Sequence, residues 1–371
     1  MDLSLLRLHN FWLPILWMIG AGIVLYKMPK TSVLVGGQVR ERWYWVTSIM
    51  LVAPLIIWAG ARNDYGDTYS YIRHFSRAPT YLEDLPVYLA NNTKDQGFTI
   101  LMALCKLMGV RTYSGFFMII ASVQILCMVY TFRRYSSDMW ICFFLFVAST
   151  DYLSWMFNGI RQFLAATLIF AGFDLMVKKR HLSFCLVVLL ASRFHGSAIL
   201  MIPLAFIMHG PAFNRKTILM ILGVALVIPF IDSFMPFLNE LLAETQYSDI
   251  TTDEIWTVDD GTNIIRVLVY SVPALLAIFG RRYVVRANDP VMNLCVNGAL
   301  ITMVIYLVSS VTSGIYIGRL PIYTTLHGYM ALPWLIDQIF EKQSARLIKL
   351  MMVACYIAFY YYQMGVMWDM L

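Results

Sequence analysis

The chain has 371 residues, of which 60% are hydrophobic and 13% charged. That balance excludes an ordinary soluble domain, in which about a quarter of the residues are charged. The formal net charge of +6 comes from basic residues scattered over short loops, without the stripe or aromatic-interleaved patch of a nucleic-acid binder.

Apolar runs of about 17–20 residues recur from end to end, which predicts an all-α, polytopic integral membrane protein with about twelve membrane helices, some short or re-entrant. Strands are not expected, because the runs are continuous and lack the alternation of a membrane barrel. Spans are predicted near 10–26, 43–60, 113–132, 139–157, 160–177, 182–192, 195–209, 217–234, 264–280, 291–310, 320–336 and 347–366. The first run, Phe11 to Tyr26, has no strong basic region before it and no convincing cleavage site after it, and reads as a retained helix. No internal repeat or low-complexity tract breaks the chain, so residues 1–371 read as a single membrane domain.

The loops carry an asymmetry. Seventeen of the 28 Lys and Arg fall in six short loops, every second connection along the chain and so all on one side of the spans, beginning with Lys27, Lys30, Arg40 and Arg42, then Arg133 and Arg134. The positive-inside rule makes that side cytoplasmic and turns both termini outward. The opposite loops are longer. Residues 61–112 form an outer loop with an interfacial or re-entrant helix at 98–110, and residues 232–262 form an acidic outer loop with eight acids and no Lys or Arg. From Arg180 to Arg193 a helix rises only about 20 Å, against a hydrocarbon core of about 30 Å. Arg193 and His195 therefore stop short of the outer surface.

An ionisable group at membrane depth costs roughly 2.5–3.5 kcal/mol, so its retention points to use. Arg161, in Asn158-Gly159-Ile160-Arg161-Gln162, offers a planar fork to a phosphate or carboxylate, or else anchors a helix end. His195, in Arg193-Phe194-His195-Gly196-Ser197-Ala198, is a proton carrier near neutral pH, or else an interhelical hydrogen-bonder. In Arg62-Asn63-Asp64-Tyr65-Gly66-Asp67, followed by Tyr71, the Asp67–Tyr71 spacing puts both on one helix face. A carboxylate there could accept a sugar-hydroxyl proton, or simply cap a helix. Arg319, in Gly314-Ile315-Tyr316-Ile317-Gly318-Arg319, could bind a second anion or fix its loop. The six cysteines all sit in apolar segments without a CxxC pair and read as small hydrophobes. Metal-ligand spacing, a Walker loop and a nucleophile elbow are all missing, so neither metal, cofactor nor ATP is expected.

The order Gly66-Asp67-Thr68, Tyr71, Gln96-Gly97-Phe98, Asn158 to Gln162 and Phe194 to Ala198 resembles the EpsG family of membrane proteins, related in role to Wzy-type polysaccharide polymerases. In that family an acid commonly precedes the Gly-Phe pair; here Gln96 stands there, with Asp95 one position earlier. The resemblance implies a GT-C-like helical bundle that polymerises oligosaccharide repeat units carried on undecaprenyl diphosphate, at the outer face of a bacterial cytoplasmic membrane. Arg161, with Arg319 or Arg193, would hold the diphosphate. His195 or Asp67 would be the base toward the acceptor hydroxyl, and Arg62, Asp64, Tyr71, Asn158 and Gln162 would bind sugar. Partners would be the lipid-linked oligosaccharide, the bilayer, and flippase and chain-length regulator proteins, with no nucleic acid. An O-antigen-ligase-like transferase is the nearest alternative. A sugar-lipid transporter or flippase is the alternative from another class, and a histidine-dependent membrane acyltransferase stands further off.

Overall fold

A computed structural model describes residue 8 and residues 10–62, 65–230 and 261–371. Asp64 and all but the last two residues of the acidic segment 232–262 lie outside the described residues. Among the described residues the chain is helical apart from one antiparallel hairpin, and it falls into two compact units, Met1–Ile202 with Phe340–Leu371, and Pro203–Ile339.

The first unit opens with α1 (Leu13–Leu25), then β1 (Lys30–Val35), β2 (Gln38–Trp43) and α2 (Trp45–Gly60). The hairpin departs from the all-helical expectation. Its two-residue turn is Gly36-Gly37, both at positive φ, with Val35 paired to Gln38. A turn that asks for left-handed backbone at both central positions selects glycine and matches the strand twist.

The segment expected as a long outer loop is a folded layer of three helices, α3 (Thr68–Arg77), α4 (Leu85–Ala90) and α5 (Gln96–Leu107). Helix α3 is strongly two-faced and buries Thr68, Tyr71 and Phe75. Phe75 stacks on Phe116 at 5.1 Å between centroids, and Phe98 of α5 meets Phe116 edge-on at 5.8 Å. Lys106 donates to the carbonyls of Ser76 and Ala78 at 2.7 and 2.8 Å, satisfying acceptors that the end of α3 leaves open. Where an interfacial or re-entrant helix was expected at 98–110, the chain forms the helix α5, packed on protein along Phe98, Met102 and Cys105.

Helix α6 (Tyr113–Tyr135) is the axis of this unit. Thr112 caps it by accepting from the Gly115 amide at 3.2 Å, and its 23 residues rise about 33 Å, enough to span a bilayer. Helix α7 (Met139–Ala148) returns, and α8 (Asp151–Leu153) runs into a π-helical turn, Ser154–Asn158. The two are bent by 76°, at Thr150 with φ +66°. Helices α9 (Ile160–Ala171) and α10 (Phe173–Val177) then run parallel to α6. Gln124 donates to the Ile160 carbonyl at 3.0 Å and Thr131 to that of Phe170 at 2.9 Å, so buried polar groups on α6 find partners along α9. Helix α11 (His181–Ser192) ends short, as its length predicts, and the 3-10 turn Gly196–Leu200 leads into α12 (Met201–Met208).

The second unit contains α13 (Arg215–Val227), α14 (Ile264–Phe279), α15 (Arg281–Ala287), α16 (Pro290–Ser309), the 3-10 turn Ile317–Tyr323 and α17 (Thr325–Ile339). A Cβ at Gly298 of α16 would lie 2.8 Å from the His327 Cβ, so glycine sets how closely α16 and α17 approach.

Four helices among the described residues are long and apolar enough to cross a membrane: Tyr113–Tyr135, Ile160–Val177, Pro290–Ser309 and Lys342–Met367. The number rises to six if each of two bent pairs is one span. The expected twelve included helices such as Leu13–Leu25 and His181–Ser192, whose 13 and 12 residues reach only about 20 Å.

Candidate functional site

Three chain segments of the first unit meet where α6 and α9 begin. They are the N-terminus of α5, the N-terminus of α9, and the break between α11 and α12. Their meeting follows from local backbone chemistry. Asp95 precedes α5 in the left-handed conformation, φ 49° and ψ 47°, which aspartate tolerates better than most side chains. Its carbonyl accepts from the Phe98 and Thr99 amides. Its carboxylate leaves the helix end uncapped and pairs with Arg161 at 2.8 Å. The Asp95 side chain is 5% exposed and that of Arg161 34%, so the ion pair is shielded on the acid's side and open on the arginine's.

The next two residues bind the other break. The Gly97 amide donates to the Arg193 carbonyl at 2.7 Å, and Arg193 Nη2 donates to Gln96 Oε1 at 3.2 Å. A Cβ on Gly97 would stand 2.7 Å from that carbonyl oxygen, so only glycine lets the backbones approach this far. Asp95-Gln96-Gly97 therefore fastens both arginines that the sequence singles out.

A second chain of contacts starts one residue after Arg161. Gln162 Nε2 donates to Ser197 Oγ at 3.4 Å, and Ser197 Oγ lies 2.8 Å from His195 Nδ1. Gln162 and Ser197 are buried, and His195 is half-buried. The structure thus joins Arg161, Gln162, Arg193 and His195 into one network.

Helix α3 closes a further side. The Arg161 guanidinium lies 5.9 Å from the centre of the Tyr71 ring. Burial pushes the Tyr71 phenol up, and the charge of Arg161 opposes that shift. His74, three residues on and so on the same face, is lowered by partial burial and then by Arg161, Arg77 and Arg73.

The other expected residues have different places. Arg62 is 2% exposed and turned inward, between the rings of Phe117 and Phe157 at 4.3 and 4.8 Å, donating to the carbonyls of Ala59 and Phe157. It is a strut between the ends of α2 and the π-helical turn. Asn158 accepts from the Asp67 amide at 3.0 Å, and Gly66, at φ +54°, lets the chain pass its carboxamide closely. The Asp67 side chain itself is exposed. Arg319 belongs to the second unit, exposed on the Ile317–Tyr323 turn. Asp95 and His74 were not among the expected site residues. The signal for Asp95 was the acid that the resembling family carries beside its Gly-Phe pair; for His74 it was helical spacing from Asp67 and Tyr71.

Chemically, the network offers a guanidinium held by one carboxylate with donor capacity left over, a second guanidinium on the same turn, and an imidazole in a hydrogen-bonded chain. A family model for the EpsG family matches residues 44–369, which includes every segment of this network. No curated protein and no solved structure matches the chain.

Proposed function

Because the chain belongs to the EpsG family, a Wzy-like polysaccharide polymerase family, we propose that it joins lipid-linked oligosaccharide repeat units into a surface polysaccharide at the outer face of the cytoplasmic membrane. The observation that carries this reading is the pair of arginines, Arg161 and Arg193, fastened to one three-residue turn beside His195. A diphosphate leaving group calls for closely held guanidinium groups, whose fixed donors stabilise the charge that develops as it departs. Arg193 is the better companion to Arg161 on this reading, since both engage Asp95-Gln96-Gly97.

In the proposed step an acceptor hydroxyl oxygen attacks the anomeric carbon of the donor sugar. A new C–O bond forms, the bond to the diphosphate oxygen breaks, and the hydroxyl proton passes to a base. His195 suits the base when its Nδ1–H donates to Ser197 Oγ, which leaves Nε2 as the acceptor. Ser197 Oγ has lone pairs for both His195 and Gln162. Asp67, on the exposed side of α3, is then a residue for binding the incoming glycan, with Tyr71 supporting the wall.

The test supplies purified protein with undecaprenyl-diphosphate-linked repeat units and resolves the products on a gel. A ladder is expected, and Arg161→Ala and His195→Ala each abolish it while leaving protein levels normal. One added unit would instead favour a ligase-type transfer, and no transfer at all would return the transporter reading. A full ladder from either variant would remove that residue from its role.

A further inference from the structure

A second polar site lies in the first unit at the other end of α6, and the proposed reaction does not use it. The hairpin strand β2 folds against the α6–α7 corner. Arg40 Nη1 donates to the Tyr135 carbonyl at 2.8 Å, and Arg133 Nε donates to the Trp43 carbonyl at 2.6 Å. Between them opens a small pocket of about 30 Å³ that includes Lys30, Arg42, Trp43, Arg133, Ser136 and Ser137 in its wall. Glu41 and Asp138 are its acids. Asp138 is committed to capping α7, accepting from the Ile141 amide at 3.1 Å, and Glu41 reaches Lys30 only at 3.9 Å. Three cations therefore outnumber two acids.

Two donors in this wall have no protein partner. Arg42 Nε and Trp43 Nε1 are both buried from solvent and make no hydrogen bond. A buried donor left open costs about 1–3 kcal/mol, and two of them beside excess positive charge call for an anion with several acceptor oxygens. The surroundings of the pocket point to a membrane–water boundary. Tyr26, Tyr44 and Trp45, on the same end of the unit, are exposed aromatic residues of the kind that collect at a membrane–water interface. Arg133 stacks on Trp45, with 4.7 Å to the ring centre.

We propose that this pocket binds the phosphate group of an anionic phospholipid. Arg42 and Trp43 donate to the phosphate oxygens, and Lys30 and Arg133 supply the field. Basic pockets between membrane helices hold lipid headgroups by this chemistry.

Native mass spectrometry of the full chain in detergent, titrated with phosphatidylglycerol or phosphatidylcholine, tests the assignment. The wild type should retain one phosphatidylglycerol in preference to phosphatidylcholine. Arg42→Gln should weaken retention by about fivefold or more, as expected for one basic group near an anionic headgroup. Trp43→Phe, which keeps the ring and removes the N–H, should weaken it several-fold. Lys27→Gln, the same loss of charge on the same loop but outside the pocket, should leave it unchanged. Inorganic phosphate in millimolar excess should not displace the lipid; full displacement would make a free anion the occupant and overturn the lipid assignment. Equal loss in Lys27→Gln and Arg42→Gln, or equal retention of the two lipids, would reduce the effect to diffuse charge and also overturn it. Elution volume and melting temperature, compared across the variants, separate lost binding from lost folding.

Discussion

At the scale of single residues, the ion pair between Asp95 and Arg161 governs what the site can do. One partner is nearly enclosed and the other is one-third open, so the pair lies between the surface and the fully buried regimes. Breaking a fully buried pair costs about 3–5 kcal/mol, while an exposed one is worth less than about 1 kcal/mol. Asp95→Asn keeps the shape and an acceptor but removes the charge, and should cost about 1–3 kcal/mol, the interval between those regimes. Thermal unfolding of the purified variant measures it. The polymer yield should fall as well, because Arg161 is then held less firmly; an Asp95→Asn protein with wild-type melting and a full ladder would separate Asp95 from the site. Ser197 acts at one remove, through His195. Ser197→Ala should lower kcat about tenfold, a loss of about 1.4 kcal/mol in transition-state stabilisation, with KM for the lipid-linked donor little changed. A rise in KM at unchanged kcat would instead make Ser197 a binding residue.

At the scale of elements, the site depends on how closely α5 approaches the break after α11. Gly97 sets that distance, and a Cβ there would meet the Arg193 carbonyl at 2.7 Å and its carbon at 2.8 Å. Backbone atoms cannot swing aside as a flexible side chain can. Gly97→Ala should therefore part the two segments, costing about 1–3 kcal/mol by overpacking and reducing polymer even though every charged side chain remains. Normal polymer from Gly97→Ala would mean that the contact is dispensable. This element-level geometry is also where the sequence was least legible. The break at Arg193 to His195 could be read from helix length against bilayer thickness, and Arg161 from its cost inside an apolar run. The three helices within 61–112 could not be read with the same ease, because α3 carries its apolar face on Tyr71, Ile72 and Phe75 alone among large side chains, and its partner Phe116 is distant in sequence. Asp95 was hidden for a related reason. It lies one position off the family's usual acid, and the left-handed turn that redirects it toward Arg161 has no signature in composition. The hairpin had left a signal, Gly36-Gly37 between Val33-Leu34-Val35 and Gln38-Val39-Arg40, which the surrounding hydropathy overrode.

For the molecule as a whole, the two ends of α6 carry opposite chemistry. Phe116 and Phe117, near its start, pack beneath the Arg161–Asp95 layer, while Arg133 and Tyr135, at its end, hold the basic hairpin. Across the roughly 33 Å between them, the chain changes from a candidate catalytic network to the loops Lys27–Arg42 and Arg133–Arg134, where positive charge collects. On the proposed reading, the positive-inside rule would put the hairpin in the cytoplasm and the network on the opposite face. The proposed reaction requires that same orientation, since its acceptor chain grows outside the cell. Two exposed positions report on it without replacing a charged group, Thr93 before α5 and Ser137, itself in the pocket wall at the α6–α7 corner. In intact cells a membrane-impermeant maleimide should label Thr93→Cys, and should reach Ser137→Cys only after permeabilisation, each measured above the signal of a parent chain with Cys355, the exposed native cysteine among the six, replaced by serine. The opposite pattern would turn the network toward the cytoplasm and exclude polymerisation at the outer face, even if the purified protein still made a ladder. Sidedness and chemistry are therefore independent conditions on the same function, and the labelling decides the one that a gel cannot.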